Sequence, residues 1–516
     1  MHAERKRAWT VAAVICIYAA AYSSYIYVLY SPGLILWQPD FLAFMSDIPS
    51  RFYPGGYWVL ANALGGGVAA GRMLTAFGLA LVMCIVAGAA LRNTRYAIPI
   101  SAWTIATLFA APSVFSNTLS PSVDMLYTAL ALSLLAACFI IAEDGAHQRK
   151  RLVLQLLLIV FLSQWLMGLR YHAPVLLFAA ALALIPSWNR RVAVNASILL
   201  VVLSALIMNF NRFASYSATA KEQVWCGLEF RYHRLAERGV LDGLPRGGDL
   251  NGYVWDEYAK LKDVAASSRY HDYYSPAELL KHGAANYYHY MRRPLVLLGI
   301  AASLAALILG IRRKQALCAL IFLALYTLPL SAAYYTLRAS LLTELAGLAA
   351  ATYFAGEVML SFQARKRNLA LLACSLAVLA VLATSSIRLR SEIGEWHSQL
   401  AEASAVDKAV RKTDATSPGI WTEDTGITIR QRGEPIADTP HAFNSWLTYA
   451  ESAVPPREMA SGKGGSYRVL LIRTPELAQE MAESGAWEVE VVRSKTKELY
   501  ILTRKGNGLI PISSKQ

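Results

Sequence analysis

A few ionisable side chains stand where an apolar chain has least use for charge. Asp40, Asp47 and Arg51 fall within residues 37–58, between the first long apolar run and the second. Asp124 heads a later run, Arg170 and His172 stand between two others, and Arg338 precedes another. A carboxylate so placed can take a proton from a hydroxyl as a general base. An arginine offers a planar fork of donors suited to phosphate. Each residue also has a plain structural reading. Asp40 follows Pro39 and can cap a short helix, Asp124 can be a first-turn acid favoured by the helix dipole, Arg170 and His172 can be interfacial, and Arg338 can snorkel. The stronger signal is that the alternation of apolar runs puts all of them on one face, since ionisable groups within a membrane mark a polar pathway or site.

The first of these stretches reads as a helix from Asp40. Phe41, Phe44, Met45, Ile48 and Phe52 recur at spacings of three and four, which makes one apolar stripe. Asp40, Asp47 and Arg51 fall along the edge of that stripe, with Pro49 ending the helix before Arg51. Such a segment lies in the membrane interface with its acids toward a cavity.

The elements that must position these residues are set by composition. The chain has 516 residues, of which 55% are hydrophobic and 16% charged, and its mean hydropathy is +0.36. That balance identifies a polytopic membrane protein. Apolar runs lie near 8–30, 71–91, 97–115, 122–142, 152–169, 173–186, 193–210, 294–311, 316–332, 339–361 and 368–386, which predicts about eleven spans. The net charge of +14 is carried largely by short clusters between runs. With the N-terminus in the cytoplasm, Arg92/Arg95, Arg149/Lys150/Arg151, Arg190/Arg191, Arg312/Arg313/Lys314 and Arg365/Lys366/Arg367 all face the cytoplasm. The basic charge is therefore a topology signal, and no nucleic-acid partner is expected. Cysteine spacing gives neither a disulfide framework nor a metal site.

The opposite face receives the loops 31–57 and 211–293 and the tail after 387. The longer loop is rich in tyrosine, which suits sugar rings and lipid interfaces alike. A helix is expected from Ser275-Pro276 through Tyr290. The tail alternates a helix at 396–413, strands at 419–423 and 467–473, a helix at 475–484 and strands at 487–492 and 498–503. The expected organisation is a helical transmembrane domain at 1–387, with a small extracytoplasmic α/β domain at 388–516.

Taken in order, these features resemble the membrane glycosyltransferases of the GT-C type. The likeness is greatest to the bacterial branch of protein mannosyltransferases, aminoarabinose transferases and lipopolysaccharide galacturonosyltransferases. It is carried by Asp40 after the first span, by Tyr53-Pro54-Gly55-Gly56-Tyr57-Trp58 leading to Gly71-Arg72-Met73-Leu74, by Ser122-Val123-Asp124-Met125-Leu126, and by Gly168-Leu169-Arg170-Tyr171-His172-Ala173-Pro174. Two positions depart from the family pattern. Phe41 follows Asp40 where a second acid is common, and Tyr53 stands where a histidine is usual. These departures leave a divalent metal open rather than implied.

The resemblance implies a bacterial inner-membrane enzyme that transfers a sugar from a polyprenyl-phosphate donor to an envelope glycolipid, glycan or protein, with inversion. It implies Asp40 as general base and Asp124 as a second catalytic acid that positions a substrate. Asp47, Arg51, Tyr53, Tyr57, Arg170, His172 and Arg338 are the implied substrate-binding residues, the cations serving the phosphate. The alternative class is a transporter or flippase for a lipid-linked or anionic solute. It is disfavoured because the sequence reads without an internal repeat and without paired broken helices in corresponding halves. Reporter fusions after residues 45, 250 and 420 are expected to report the outer compartment, and fusions after 148 and 314 the cytoplasm. An outer signal at 314 would reverse the side of Arg338 and of the tail.

Overall fold

The computed structural model describes residues 2–30, 56–119, 123–144, 149–170, 172–183, 276–333, 340–362, 364–412, 419–422, 467–472, 475–493 and 498–505. The helices are α1 (His2–Tyr30), α2 (Gly56–Ala63), α3 (Gly67–Leu91), α4 (Ala97–Ala110), α5 (Pro112–Leu119), α6 (Val123–Asp144), α7 (Arg149–Leu169), α8 (Ala173–Ala183), α9 (Pro276–Met291), α10 (Pro294–Ile308), α11 (Arg313–Ala333), α12 (Leu341–Ser361) and α13 (Ala364–Lys412). After them come β1 (Gly419–Thr422), β2 (Tyr467–Ile472), α14 (Pro475–Glu483), β3 (Trp487–Arg493) and β4 (Glu498–Arg504). Within the described residues every apolar run of the sequence is helical. The run at 193–210 lies outside them.

Among these, 4 helices are long and apolar enough to cross a membrane, or up to 6 if each of two bent pairs counts as one span. The chain is thus a helical integral membrane protein. Both bends have a proline cause. Ala111 precedes Pro112 and is extended (φ −77°, ψ 117°), because the proline ring bars the helical region to its predecessor. This breaks the single run expected at 97–115 into α4 and α5, bent by 68°. Arg293 precedes Pro294 in the same way (φ −64°, ψ 135°), and the helices on either side are bent by 74°.

The membrane unit is held by close backbone approach. A Cβ on Gly299 would lie 2.5 Å from Gly347 Cα, and one on Gly347 would lie 2.6 Å from the Leu295 carbonyl oxygen, so α10 and α12 touch main chain to main chain. A Cβ on Gly78 would sit 3.0 Å from the Met125 carbonyl oxygen, which brings α3 onto the head of α6. Between α4 and α12 the hydroxyls of Thr104 and Thr352 meet at 3.0 Å. The pairings run in register. Gly347 meets Leu295 near the heads of α12 and α10, and Gly356 meets Asn93 near the tails of α12 and α3. Helices α3, α6, α10 and α12 therefore point the same way, and one end of the bundle collects their heads.

Among the described residues the chain's two compact units divide between Glu392 and Ile393. In the second unit the sheet order is β1-β2-β4-β3, with β1 parallel to β2 and the other pairs antiparallel. Alternate residues of β2 face opposite sides, as the two-residue period of a strand requires. Val469 and Leu471 pack with Val406 and Ala409 at the end of α13, while Leu470 and Ile472 pack with Ala478 and Met481 of α14. The α/β character expected of the tail is present.

Glycine contact on this scale gives a sign test. Gly347→Ala should lower the unfolding temperature in detergent, because the methyl overpacks a main-chain contact at a cost of about 1–3 kcal/mol. Gly394→Ala, where nothing lies within 4 Å of the added carbon, should be neutral or stabilising through helix propensity. Equal behaviour of the two variants would show that the α10–α12 contact is slack.

Candidate functional site

The head end of the bundle holds a buried ion pair. Asp124 is in the first turn of α6, and Arg170 immediately follows the tail of α7. The Arg170 guanidinium donates to Asp124 Oδ1, and the two residues are 6% and 8% exposed. Neither charge tolerates burial alone, so each holds the other in place. The α6–α7 hairpin makes the meeting geometric. The two helices pack together, and their join is at the opposite end.

Two further groups close on this pair. A Cβ on Gly56 would lie 2.5 Å from the Gly168 carbonyl oxygen, so the start of α2 rests on the last turn of α7. That seat buries Tyr57 to 2% exposure. Burial, and then the Asp124 charge, push the Tyr57 phenol up from its ordinary value, leaving it protonated. On the other flank His172 lies in the turn between α7 and α8, half-buried. Its ring meets Tyr127 of α6 edge-on, with centroids 5.1 Å apart and planes at 74°. Burial, and then the Arg170 charge, lower the imidazole from its ordinary value, with Asp124 opposing. The ring is thus neutral and has one donor and one acceptor nitrogen.

The structure therefore gathers Tyr57, Asp124, Arg170 and His172, which the sequence scatters over three stretches. Asp40, Asp47, Arg51, Tyr53 and Arg338 lie outside the described residues. Tyr127, which flanks His172, was not anticipated, because its spacing only marks it as part of an apolar span.

A second polar cluster was also missed. Arg293 stands at the bend before α10, with its Nε 3.6 Å from Glu344 Oε1 in the first turn of α12. The Ser340 hydroxyl donates to the same oxygen at 2.8 Å. Arg293 is 6% and Glu344 2% exposed. The signal was present in Glu344, one of two acids inside the apolar run 339–361. Nearby, Asn286 Nδ2 donates to the Ser331 carbonyl at 2.9 Å, tying α9 to α11. Among the described residues no three His, Cys, Asp or Glu side chains gather to hold a metal ion.

No family model matches the chain, and no curated protein matches it. Among solved structures it is similar to ArnT from Cupriavidus metallidurans bound to undecaprenyl phosphate, at 11% identity over 96% of this chain and 97% of that one, with a TM-score of 0.48. The apo state of the same protein is similar at 11% identity over 97% and 98%, with a TM-score of 0.47.

The ion pair predicts a non-additive mutant pattern. Arg170→Met or Asp124→Leu alone should destabilise by about 3–5 kcal/mol, since each strands a buried charge. The double variant should recover much of that in thermal unfolding. Single losses that simply add would show that the pair is solvated.

Proposed function

We propose that this protein is a membrane glycosyltransferase of the GT-C type. It transfers a sugar from a polyprenyl-phosphate donor to a hydroxyl of an envelope glycolipid, glycan or protein. The carrying observation is the convergence of Tyr57, Asp124, Arg170 and His172 around one buried ion pair at the head end of an apolar bundle. These positions lie in stretches that carry the sequence resemblance. An apolar bundle with a cationic, hydrogen-bonding end suits a substrate with a long hydrocarbon tail and a phosphate-linked polar head.

In the proposed reaction the acceptor oxygen attacks the anomeric carbon. The bond from that carbon to the phosphate oxygen breaks, and the lipid phosphate leaves with the electron pair. The acceptor proton passes to a carboxylate, for which Asp40 is the proposed base. Arg170 supplies positive charge for the departing phosphate, and such preorganised charge acts most strongly where water is excluded. Asp124 fixes the guanidinium plane. Neutral His172 and protonated Tyr57 contribute hydrogen bonds to the sugar or phosphate. On this reading the enzyme acts in a bacterial inner membrane with this end facing outward.

Asp40→Asn separates catalysis from helix capping. Asparagine caps about as well as aspartate but accepts no proton. Turnover of a polyprenyl-phosphate sugar by the purified protein should fall by roughly a hundredfold or more, within the 10²–10⁴ range of a positioned acid–base group, with donor binding kept. A near wild-type rate would remove Asp40 as the base. Absence of donor consumption by wild-type protein under all acceptor conditions would favour a transporter.

A further inference from the structure

Helix α9 leads into the bend at Pro294, and its two faces differ. The inner face is pinned to the end of α11, at the head of the bundle. Asn286 reaches the Ser331 carbonyl there, and the Thr327 hydroxyl lies 3.7 Å from the Met291 sulfur. Asn286, Tyr290 and Arg293 are buried on this side. The outer face is open. Leu280 is 76% and Tyr288 62% exposed, although both are large and largely apolar. Lys281, Ala284, Ala285 and Arg292 are exposed with them.

The order of these residues around the helix is graded. At about 100° per residue, Leu280 and Ala284 come first, Tyr288 next, and the cations Lys281 and Arg292 beyond it. Glu278 falls further round still, on the side away from Leu280. The Arg292 guanidinium lies 5.3 Å from the centroid of the Tyr288 ring, which joins the middle tier to the charged one. Apolar, then phenolic, then cationic is the sequence of environments met on leaving a bilayer: chain, boundary, phosphate.

The direction of α9 fits that gradient. Arg293 and Arg312 bracket the eighteen uncharged residues 294–311. At about 1.5 Å per residue these cover about 27 Å, close to the hydrocarbon thickness of about 30 Å. The α10 segment therefore fills the core by itself, and α9 lies outside it. The bend of 74° between them turns α9 from the direction of the span toward the membrane plane.

We infer that α9 is a membrane-surface helix whose outer face binds the phospholipid interface at the head end. Leu280 and Ala284 enter the acyl boundary, to a depth of about 5–10 Å. Tyr288 stands at the boundary, and Lys281 and Arg292 meet lipid phosphates, to which an ammonium and a guanidinium fork both donate. The phosphates of zwitterionic and anionic phospholipids serve alike. The seat fixes the depth of the bend at Arg293 and does not depend on the transfer chemistry.

The test uses the full-length protein in vesicles of phosphatidylcholine and phosphatidylglycerol. An environment-sensitive fluorescent amino acid replaces Leu280 in one variant and Ala285 in another. Both positions are exposed, so neither probe disturbs the core, and unfolding temperature checks this. The probe at 280 should be quenched by phospholipid carrying a nitroxide near the glycerol and spared by aqueous iodide. The probe at 285, on the far side of the cations, should be quenched more by iodide than the probe at 280. With Lys281→Gln and Arg292→Gln together, the probe at 280 should lose most of its lipid quenching. Equal iodide quenching at 280 and 285 would place the whole face in water and overturn the inference. A probe at 280 reached by neither quencher would overturn it too, since protein then covers the face. Lipid quenching unchanged by removal of both cations would overturn the phosphate contacts.

Discussion

Within lipid, helices gain little from burying apolar surface against one another, because the surrounding chains are just as apolar. Something else must fix which faces meet. Here it is main-chain contact at glycine: Gly299 on Gly347, Gly78 on Met125 and Gly56 on Gly168. Each contact brings two backbones closer than any side chain would allow. The geometry of the polar groups follows from them. Gly78 seats the head of α6, where Asp124 stands, and Gly168 seats the segment that carries Tyr57. The α10–α12 contact sets the heads from which Arg293 and Glu344 reach each other. The ion pairs stiffen an arrangement that steric fit has already chosen.

The helices were legible in the sequence because apolar runs of membrane length have few other uses. The α/β tail was legible for the opposite reason, since charge returned and the period shortened. The proline breaks were less so. Pro112 was visible, yet the run around it is so uniformly apolar that 97–115 reads as one span. The proline constraint on Ala111 won locally, and the chain turned by 68°. The convergence of Tyr57, Asp124, Arg170 and His172 on one face followed from topology alone, though not their contacts. The Arg293–Glu344 pair was hidden. Its partners are fifty-one positions apart, and each imitates something ordinary, a basic residue before a span and an acid in a first helical turn.

The two ends of the bundle differ in how they handle charge. At the head end carboxylates and guanidiniums are buried and paired, which fixes their positions at the cost of desolvating both. At the tail end the arginines are mostly exposed. The first arrangement suits a site that must hold geometry.

Biogenesis gives the ion pairs different histories. Asp124 and Arg170 sit at the two extremities of one helical hairpin, α6 followed directly by α7. They can enter the bilayer as a single neutralised unit, so neither charge need wait in hydrocarbon for its counterpart. Arg293 and Glu344 do not share a hairpin. Glu344 emerges only after α10 and α11 have been made. Between those moments a cation stands at the head of an apolar segment with its later partner still unsynthesised. The bend at Pro294 leaves that cation at the start of α10 rather than in its middle, where the bilayer interface can hydrate it. The proline that breaks the helix thus also makes a delayed charge tolerable during insertion.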